Sequence, residues 1–384
     1  MKFCVVGAGF TGAVLSRHLA ERGHLISLID ERSHIAGNCH TVRDERSNVL
    51  IHRYGPHIFH TADERCWEYI RRFGSFRPYV NRVKAIARGS VYSLPINLHT
   101  INQLFGRTFS PHEARRFITE QTEAGRNQPS NFEEQALATV GRDLYETFFF
   151  GYTRKQWGVQ PRELPASILK RLPIRFTYDD NYFHHPYQAV PTEGYSAIIS
   201  SMLQHDRINL ELNRQFETLH MDFDHVFYSG AIDRFFDYRL GRLGYRTLDF
   251  ERIDAVGDYQ GAAVINYCDN DVPYTRITEH RHFAPWDPPH DDRTVCFREY
   301  SRSAGPTDIP YYPIRLAHER TLLDAYLRLA SQEPHVSFLG RLGTYRYLDM
   351  DVTISQALEA CDQIDACLAS GAPLPAFFHD PSQD

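Results

Sequence analysis

The hydrophobic pattern changes period several times along the chain. Residues 2–6 (Lys-Phe-Cys-Val-Val) form an apolar, β-rich run that passes directly into Gly7-Ala8-Gly9-Phe10-Thr11-Gly12. Over residues 13–22 the period becomes helical, with Val14, Leu15 and Leu19 on one stripe and Gly23 as a C-terminal stop. Residues 25–29 read as a second apolar strand, and Asp30 ends it. The pattern predicts strand, glycine turn, helix, strand and acid.

Further along, three helix starts carry capping boxes: Thr61 with Glu64, Ser110 with Glu113 and Pro111 at the first helical position, and Ser130 with Glu133. Residues 98–172 read as almost wholly helical, an inserted domain. Residues 79–95 read as a strand pair around Arg88-Gly89, and short strands near 262–267, 274–286 and 295–300 predict an antiparallel sheet. The runs 225–230 and 336–340 look like the first domain resuming, the second before a helix over 352–369 that Asp351 can cap. Residues 287–293 read as an exposed loop and the last ten as a frayed tail.

The composition narrows the class. Lys and Arg total 42 against 48 Asp and Glu, a net charge of -6 over 384 residues, which gives no support to binding nucleic acid or an anionic membrane. Seven cysteines without a C-x-x-C pair argue against a disulfide framework or structural zinc and for a reducing compartment. Residue 2 already begins a strand, leaving no room for a signal peptide, and no apolar run reaches the roughly 20 residues of a membrane span. A cytoplasmic protein is expected. Aromatics reach 13%, with 22 tyrosines that cluster in a few segments, so chemistry is sought there.

The glycine turn sits where a dinucleotide site needs it. Gly7 permits the tight turn, Gly9 lets backbone approach a pyrophosphate, Gly12 allows close helix packing, and Asp30 can bind ribose hydroxyls. The continuation Glu31-Arg32-Ser33-His34-Ile35-Ala36-Gly37-Asn38 resembles the extended motif of FAD-binding Rossmann proteins, with Ala36-Gly37 in place of two glycines. Residues 148–158 (Phe-Phe-Phe-Gly-Tyr-Thr-Arg-Lys-Gln-Trp-Gly) offer faces for a base, or alternatively an ordinary core helix. Arg171, near Asp179-Asp180-Asn181-Tyr182, suits a diphosphate or the surface. Tyr274, Arg276, Thr278 and His280 would share one strand face, lining a polar cleft or facing solvent. The pairs His184-His185 and His280-x-His282 lack a third ligand, so no metal site is expected. No Ser-His-Asp or Cys-His arrangement and no second glycine fingerprint presents itself. These residues describe a flavoprotein whose ligand carries a base and phosphates.

Together these segments resemble the bacterial UDP-galactopyranose mutase family over nearly the whole chain. The matching blocks are Gly7 to Gly12, Tyr54 to Thr61, Ser93 to Leu98, Gly151 to Thr153, Lys155 to Gly158, Leu164 to Pro173, Asp179 to Phe183, Gly241 to Thr247, Tyr274 to His280, Ile309 to Arg315 and Gly340 to Asp351. The resemblance implies an α/β fold: an FAD-binding Rossmann-like domain (1–78, 206–240 and 316–384), a helical domain with a substrate lid (98–175) and an antiparallel-sheet substrate domain (79–97, 176–205 and 241–315). It implies Arg171 and Arg276 as a diphosphate clamp, with Tyr182, Tyr312 and Tyr347 as hydroxyl partners. Tyr152 would stack on uracil, Trp157 would lie near a mobile loop, and Asn81, Phe148, Phe149 and Thr153 would be further substrate contacts. His57 and His60 would lie by the flavin and Asp349 near sugar and flavin. FAD would be held by Gly7, Gly9, Phe10, Thr11, Gly12, Asp30, Glu31, Gly37, Asn38, Arg341, Asp349, Met350 and Asp351.

The activity implied is interconversion of UDP-galactopyranose and UDP-galactofuranose. Attack of reduced-flavin N5 on the anomeric carbon replaces a protein nucleophile, with no net redox. An electron donor such as NAD(P)H or a flavin reductant, and a homodimer, go with that family. The rival readings are an amine-oxidase-type FAD oxidoreductase, a related mutase acting on UDP-N-acetylgalactosamine or UDP-arabinopyranose, and a protein that only binds its UDP-sugar.

Overall fold

Five parallel strands carry the glycine turn. In the computed structural model, which describes residues 1–122, 129–166, 174–216 and 222–382, their order is Ile208–Leu212, Leu25–Asp30, Lys2–Val6, His225–Tyr228 and Val336–Phe338. All four joins are parallel. Phe3, Cys4, Val5, Leu28, Ile29 and Val226 are buried, as strands covered on both faces require. Helices Phe10–Glu21, Tyr195–Leu203 and Met350–Ser370 pack together through Leu15, Leu19, Ile199, Met202, Ile354 and Ile364. Helix Ala317–Ala330 contributes Leu323 and Tyr326 to a second cluster with Tyr228 and Phe338. The sequence places residues 176–205 with the substrate sheet. The structure instead packs Tyr195, Ile198, Ile199 and Met202 into the nucleotide-domain core, because this short apolar helix covers helix Phe10–Glu21.

The second sheet has seven strands, in the order Tyr312–Pro313, Tyr245–Val256, Arg293–Ser303, Arg276–Glu279, Val264–Tyr267, Val83–Ala87 and Ser90–Leu94. Its joins are antiparallel except that Val264–Tyr267 runs parallel to Val83–Ala87, which makes the sheet mixed. The expected strand pair closes through Arg88 (φ 48°) and Gly89 (φ 72°), the left-handed pair of a two-residue hairpin. The strand expected over 274–286 is only Arg276–Glu279, and the chain turns into a 3₁₀ segment at His280–Phe283.

The inserted helices run Leu98–Phe105, Pro111–Gln121 and Phe132–Val140. A π-helical stretch, Tyr145–Phe150, then leads into helix Gly151–Trp157. The Ser110–Glu113 box forms as predicted. The other two starts shift by a residue or two: Asp63 caps Glu64–Arg71 and Asn131 caps Phe132–Val140. Asp351 does not cap the last helix, which begins at Met350 with Asp349 at the N-cap position. All seven cysteines are free thiols.

Candidate active site

The glycine turn is built for close backbone approach. Gly7 takes φ 101°, and a Cβ there would meet Ser229 Oγ at 2.3 Å; a Cβ on Gly12 would meet the Gly7 carbonyl oxygen at 1.9 Å. Above Gly9 there is open space, with nothing within 4 Å of the point where a methyl would stand. Gly9 caps helix Phe10–Glu21 without a side-chain hydrogen bond and no acid stands in its first turn, so the first N–H groups stay available to an anion. The side chains of Phe10 and Thr11 are buried, and these residues can serve a cofactor only through their backbone.

Asp30 braces the glycine turn from the position where a ribose contact is expected. Its two carboxylate oxygens accept N–H bonds from Ala8 (2.8 Å) and Arg32 (2.9 Å), bracing the turn. The neighbouring Glu31 reaches the surface and pairs with Arg234. Arg32 donates to Asn38 Oδ1 at 2.9 Å and lies over the Tyr54 ring at 5.1 Å. Ala36 sits at φ 73°, in the left-handed region, and its N–H bonds to the Ala8 carbonyl at 2.8 Å. Gly37 follows at φ 52°.

Arg276 forms the other half of the site. It lies across the strand pair from Glu299, with Nε 3.1 Å from Oε2. That separation makes an ion pair, yet neither atom is aligned for a hydrogen bond. Thr278 Oγ1 donates to the other Glu299 oxygen at 3.2 Å. Burial raises the Glu299 carboxyl, and the Arg276 cation opposes that rise. The fields of Tyr152, Tyr182 and Tyr312 act on Arg276 together with that of Glu299. Burial pushes the Tyr152 hydroxyl up to about 12 and also raises Tyr182 and Tyr312, while Arg276 opposes each rise. All three hydroxyls therefore stay protonated as donors. The Tyr347 ring lies tilted against Tyr312 at 5.4 Å, Trp157 lies 6.4 Å from Tyr312, and Arg341 lies over Tyr347 at 5.1 Å.

His57 hangs from a loop held by two hydrogen bonds. Its N–H donates to His52 Nδ1 at 3.0 Å, and its carbonyl accepts from the Tyr195 hydroxyl at 3.0 Å. The ring Nδ1 lies 2.8 Å from the Gly55 carbonyl, which can only accept, so Nδ1 carries the proton and Nε2 is left as an acceptor. Burial, with Arg341 and Arg276 nearby, lowers the His57 pKa to about 4 and keeps that ring neutral. His60 is likewise lowered by burial, with Asp351 and Asp349 opposing.

The structure thus gathers Tyr152, Tyr182, Arg276, Tyr312, Tyr347, Arg341, Asp349, His57 and His60 into one region. Phe148 and Phe149 go elsewhere: both are packed in the helical core, Phe148 edge-on against Tyr92 at 5.1 Å, and Thr153 is buried as well. Tyr152 is the ring this helix leaves near Arg276. Asn81 is buried with Oδ1 unpartnered, while its backbone carbonyl accepts from the Tyr182 N–H at 2.8 Å. Tyr274 does not share the Arg276 face; it packs on Tyr267 and Tyr300 under Arg298. Arg171 lies outside the described residues.

Two positioning residues escape sequence reasoning. Lys155 reaches back from helix Gly151–Trp157 to the carbonyls of Tyr267 (2.7 Å), Asp269 (2.8 Å) and Tyr274 (3.1 Å). Glu299 stands on a strand that reads as unremarkable alternation. Only pairing across strands shows what either residue faces.

A family model described as UDP-galactopyranose mutase matches residues 147–347, and a model of an NAD(P)-binding Rossmann-like domain matches residues 5–73. The chain is 55% identical to a probable UDP-galactopyranose mutase of Klebsiella pneumoniae, over 97% of each chain. This chain belongs to the UDP-galactopyranose mutase family. It is also 49% identical to a dTDP-fucopyranose mutase of Escherichia coli, over 94% of this chain and 98% of that one. The crystal structure of a reduced UDP-galactopyranose mutase shares the fold, with a TM-score of 0.76 at 16% identity over 95% of both chains. As a mutase of this family the chain is an FAD-dependent isomerase. The open cradle above Gly9 and the uncapped N-terminus of helix Phe10–Glu21 suit that cofactor's phosphates.

Proposed function

We propose that the cleft binds UDP-galactose with its diphosphate on Arg276 and its hydroxyl contacts on Tyr182, Tyr312 and Tyr347. The observation that carries this reading is the arrangement at Arg276, a largely buried guanidinium whose carboxylate neighbour is not aligned to use it, ringed by protonated tyrosines. A fork of that kind bonds two phosphate oxygens at once and neutralises the diphosphate as it leaves the anomeric carbon. Arg171 is assigned the second arm of the clamp. Tyr152 stacks on the uracil, and the neutral His57 offers Nε2 as a fixed acceptor. When bound, reduced FAD would supply the nucleophile, and the sugar would keep its oxidation level. The chain's own contribution is to orient the sugar, exclude water and hold the departing UDP close enough to return.

Asp349, Met350 and Asp351 with Arg341 complete the flavin side, and Asp30 takes the ribose with the two remaining lone pairs of its carboxylate. An NAD(P)H-linked or flavin reductant, a homodimer and a cytoplasmic location complete the reading. Among the described residues no helix is long and apolar enough to cross a membrane.

The test is conversion of UDP-galactofuranose to UDP-galactopyranose by dithionite-reduced enzyme without air, followed by ion-pair chromatography, with dTDP-fucofuranose run in parallel. Turnover of the UDP-sugar by reduced enzyme alone supports the proposal. Turnover of the dTDP-sugar alone moves the substrate to the class named for the Escherichia coli relative. In a separate aerobic run without dithionite, oxygen consumption in proportion to product would replace the isomerase by an oxidase.

A further inference from the structure

His185 has no third metal ligand near it in the sequence, and the fold supplies two partners. His60, from strand Phe59–Thr61, and Asp351, from the first turn of helix Met350–Ser370, converge on it. One ligand-capable atom from each of the three lies within 4.8 Å of the other two. His60 Nδ1 and His185 Nδ1 are 2.8 Å apart. At that distance one ring donates its N–H to the lone pair of the other, and loss of that proton leaves two lone pairs that a cation can share.

We propose that His60, His185 and Asp351 form a binding site for a divalent transition-metal cation of the zinc type, and that its occupation silences the mutase. Two imidazole nitrogens and one carboxylate oxygen are a zinc-type donor set, with a fourth position left for water. Zn–N bonds of about 2.05 Å in tetrahedral geometry put the two nitrogens about 3.3 Å apart, so the rings need to open by only about half an ångström. The supporting contacts are already in place. Phe183 stacks on the His60 ring at 3.6 Å and fixes its plane, and Asp351 is buried with its backbone carbonyl accepting from the Cys66 thiol at 3.6 Å. A cation here would tie His185, just before strand Tyr187–Pro191, to the turn that carries Asp349 and Met350, and would place positive charge beside the flavin end of the cleft. That inhibitory consequence rests on the proposed roles of Asp349 and Met350; the binding needs the Asp351 carboxylate, which leaves that residue only its backbone for the flavin.

The other three-residue group among the described residues, Asp258, Glu279 and His282, serves as the control. Its Glu279 carboxylate already accepts from the N–H groups of Tyr259 (3.1 Å) and Gln260 (2.9 Å) and from Thr294 Oγ1 (2.7 Å), so it is a structural carboxylate.

The experiment is calorimetric titration of the oxidised holoenzyme with zinc chloride, paired with the reduced-enzyme assay before and after a chelator. The expected result is one zinc per chain, retained in His282→Ala. In His185→Ala zinc binding should weaken by more than the roughly 100-fold that even outer-shell partners can cost. Zinc should inhibit wild type reversibly and leave His185→Ala unaffected, the variant turning over at nearly the wild-type rate without metal. His185→Asn replaces it if the alanine variant loses flavin. No saturable uptake, or equal uptake in the His185 variant, overturns the site and leaves a proton-sharing imidazole pair. Binding without inhibition overturns the silencing alone. Calorimetry reads the site whichever nucleotide sugar the enzyme turns over.

Discussion

Removing Arg276 separates what that residue does for the fold from what it does for the ligand. Arg276→Ala leaves Glu299, only 1% exposed, without its counter-charge. Breaking a buried pair costs about 3–5 kcal/mol, and the lower end applies because the Arg276 side chain keeps 21% of its exposure. Unfolding entropy of about 2.1 cal/mol/K per residue over 384 residues gives about 0.8 kcal/mol/K, so a loss of about 3 kcal/mol lowers Tm by about 4 °C. The deficit must depend on pH. Burial already raises the Glu299 carboxyl, and without Arg276 it rises further. A carboxyl whose folded pKa lies above its unfolded value penalises the fold only once it must ionise, so the deficit is full above the folded pKa and fades toward the unfolded one. Adding Glu299→Gln removes the orphan charge and keeps an acceptor for Thr278, so the double variant should recover most of the lost Tm at pH 8. It should recover none of the activity, which falls about 100- to 1,000-fold in both variants, as loss of a charge-stabilising donor does. Differential scanning fluorimetry from pH 5 to 8 with the reduced-enzyme assay reads both quantities. A double variant no more stable than Arg276→Ala, or one with restored turnover, would refute the reasoning.

Ala36→Gly should raise stability by roughly 1 kcal/mol, because Ala36 occupies φ 73° against its steric preference; a denaturant midpoint that falls would deny the strain. Gly12→Ala should yield protein without flavin absorbance, since its methyl would lie 1.9 Å from the Gly7 carbonyl oxygen. Full occupancy in that variant would contradict the cradle. Lys155→Met should loosen the helix bearing Tyr152 and raise KM for the UDP-sugar at least several-fold, with flavin content unchanged. Burial lowers the Lys155 pKa to about 8, so the wild-type fold gains stability as pH rises from about 8 toward the unfolded value, and the Met variant should lack that gain. Parallel Tm–pH curves for the two proteins would remove Lys155 from the account.

Much of this protein can be read along the chain. The glycine turn, its flanking strands and helix, the Arg88-Gly89 hairpin and the Ser110–Glu113 cap are local, set by φ/ψ demands and hydrophobic period within about twenty residues. Tyr152, Tyr182, Arg276, Tyr312 and Tyr347 stand out through family resemblance in several blocks, and the structure gathers them. Where the sequence misleads, the deciding contact is distant. Residues 195–203 join the nucleotide core because a helix from the first turn of the chain needs covering. Phe148 and Phe149 go into the helical core because their side of the helix meets Tyr92 and Phe132. The partners of Arg276 and of His185 are illegible for the same reason. A charge pair or a ligand set is defined by distances between segments, and spacing along one segment carries no such distance. The sequence by itself determined the elements, the cofactor turn and the family. Which carboxylate faces which cation, and which histidines meet, was decided only when strand pairing and helix packing brought remote residues within a few ångströms.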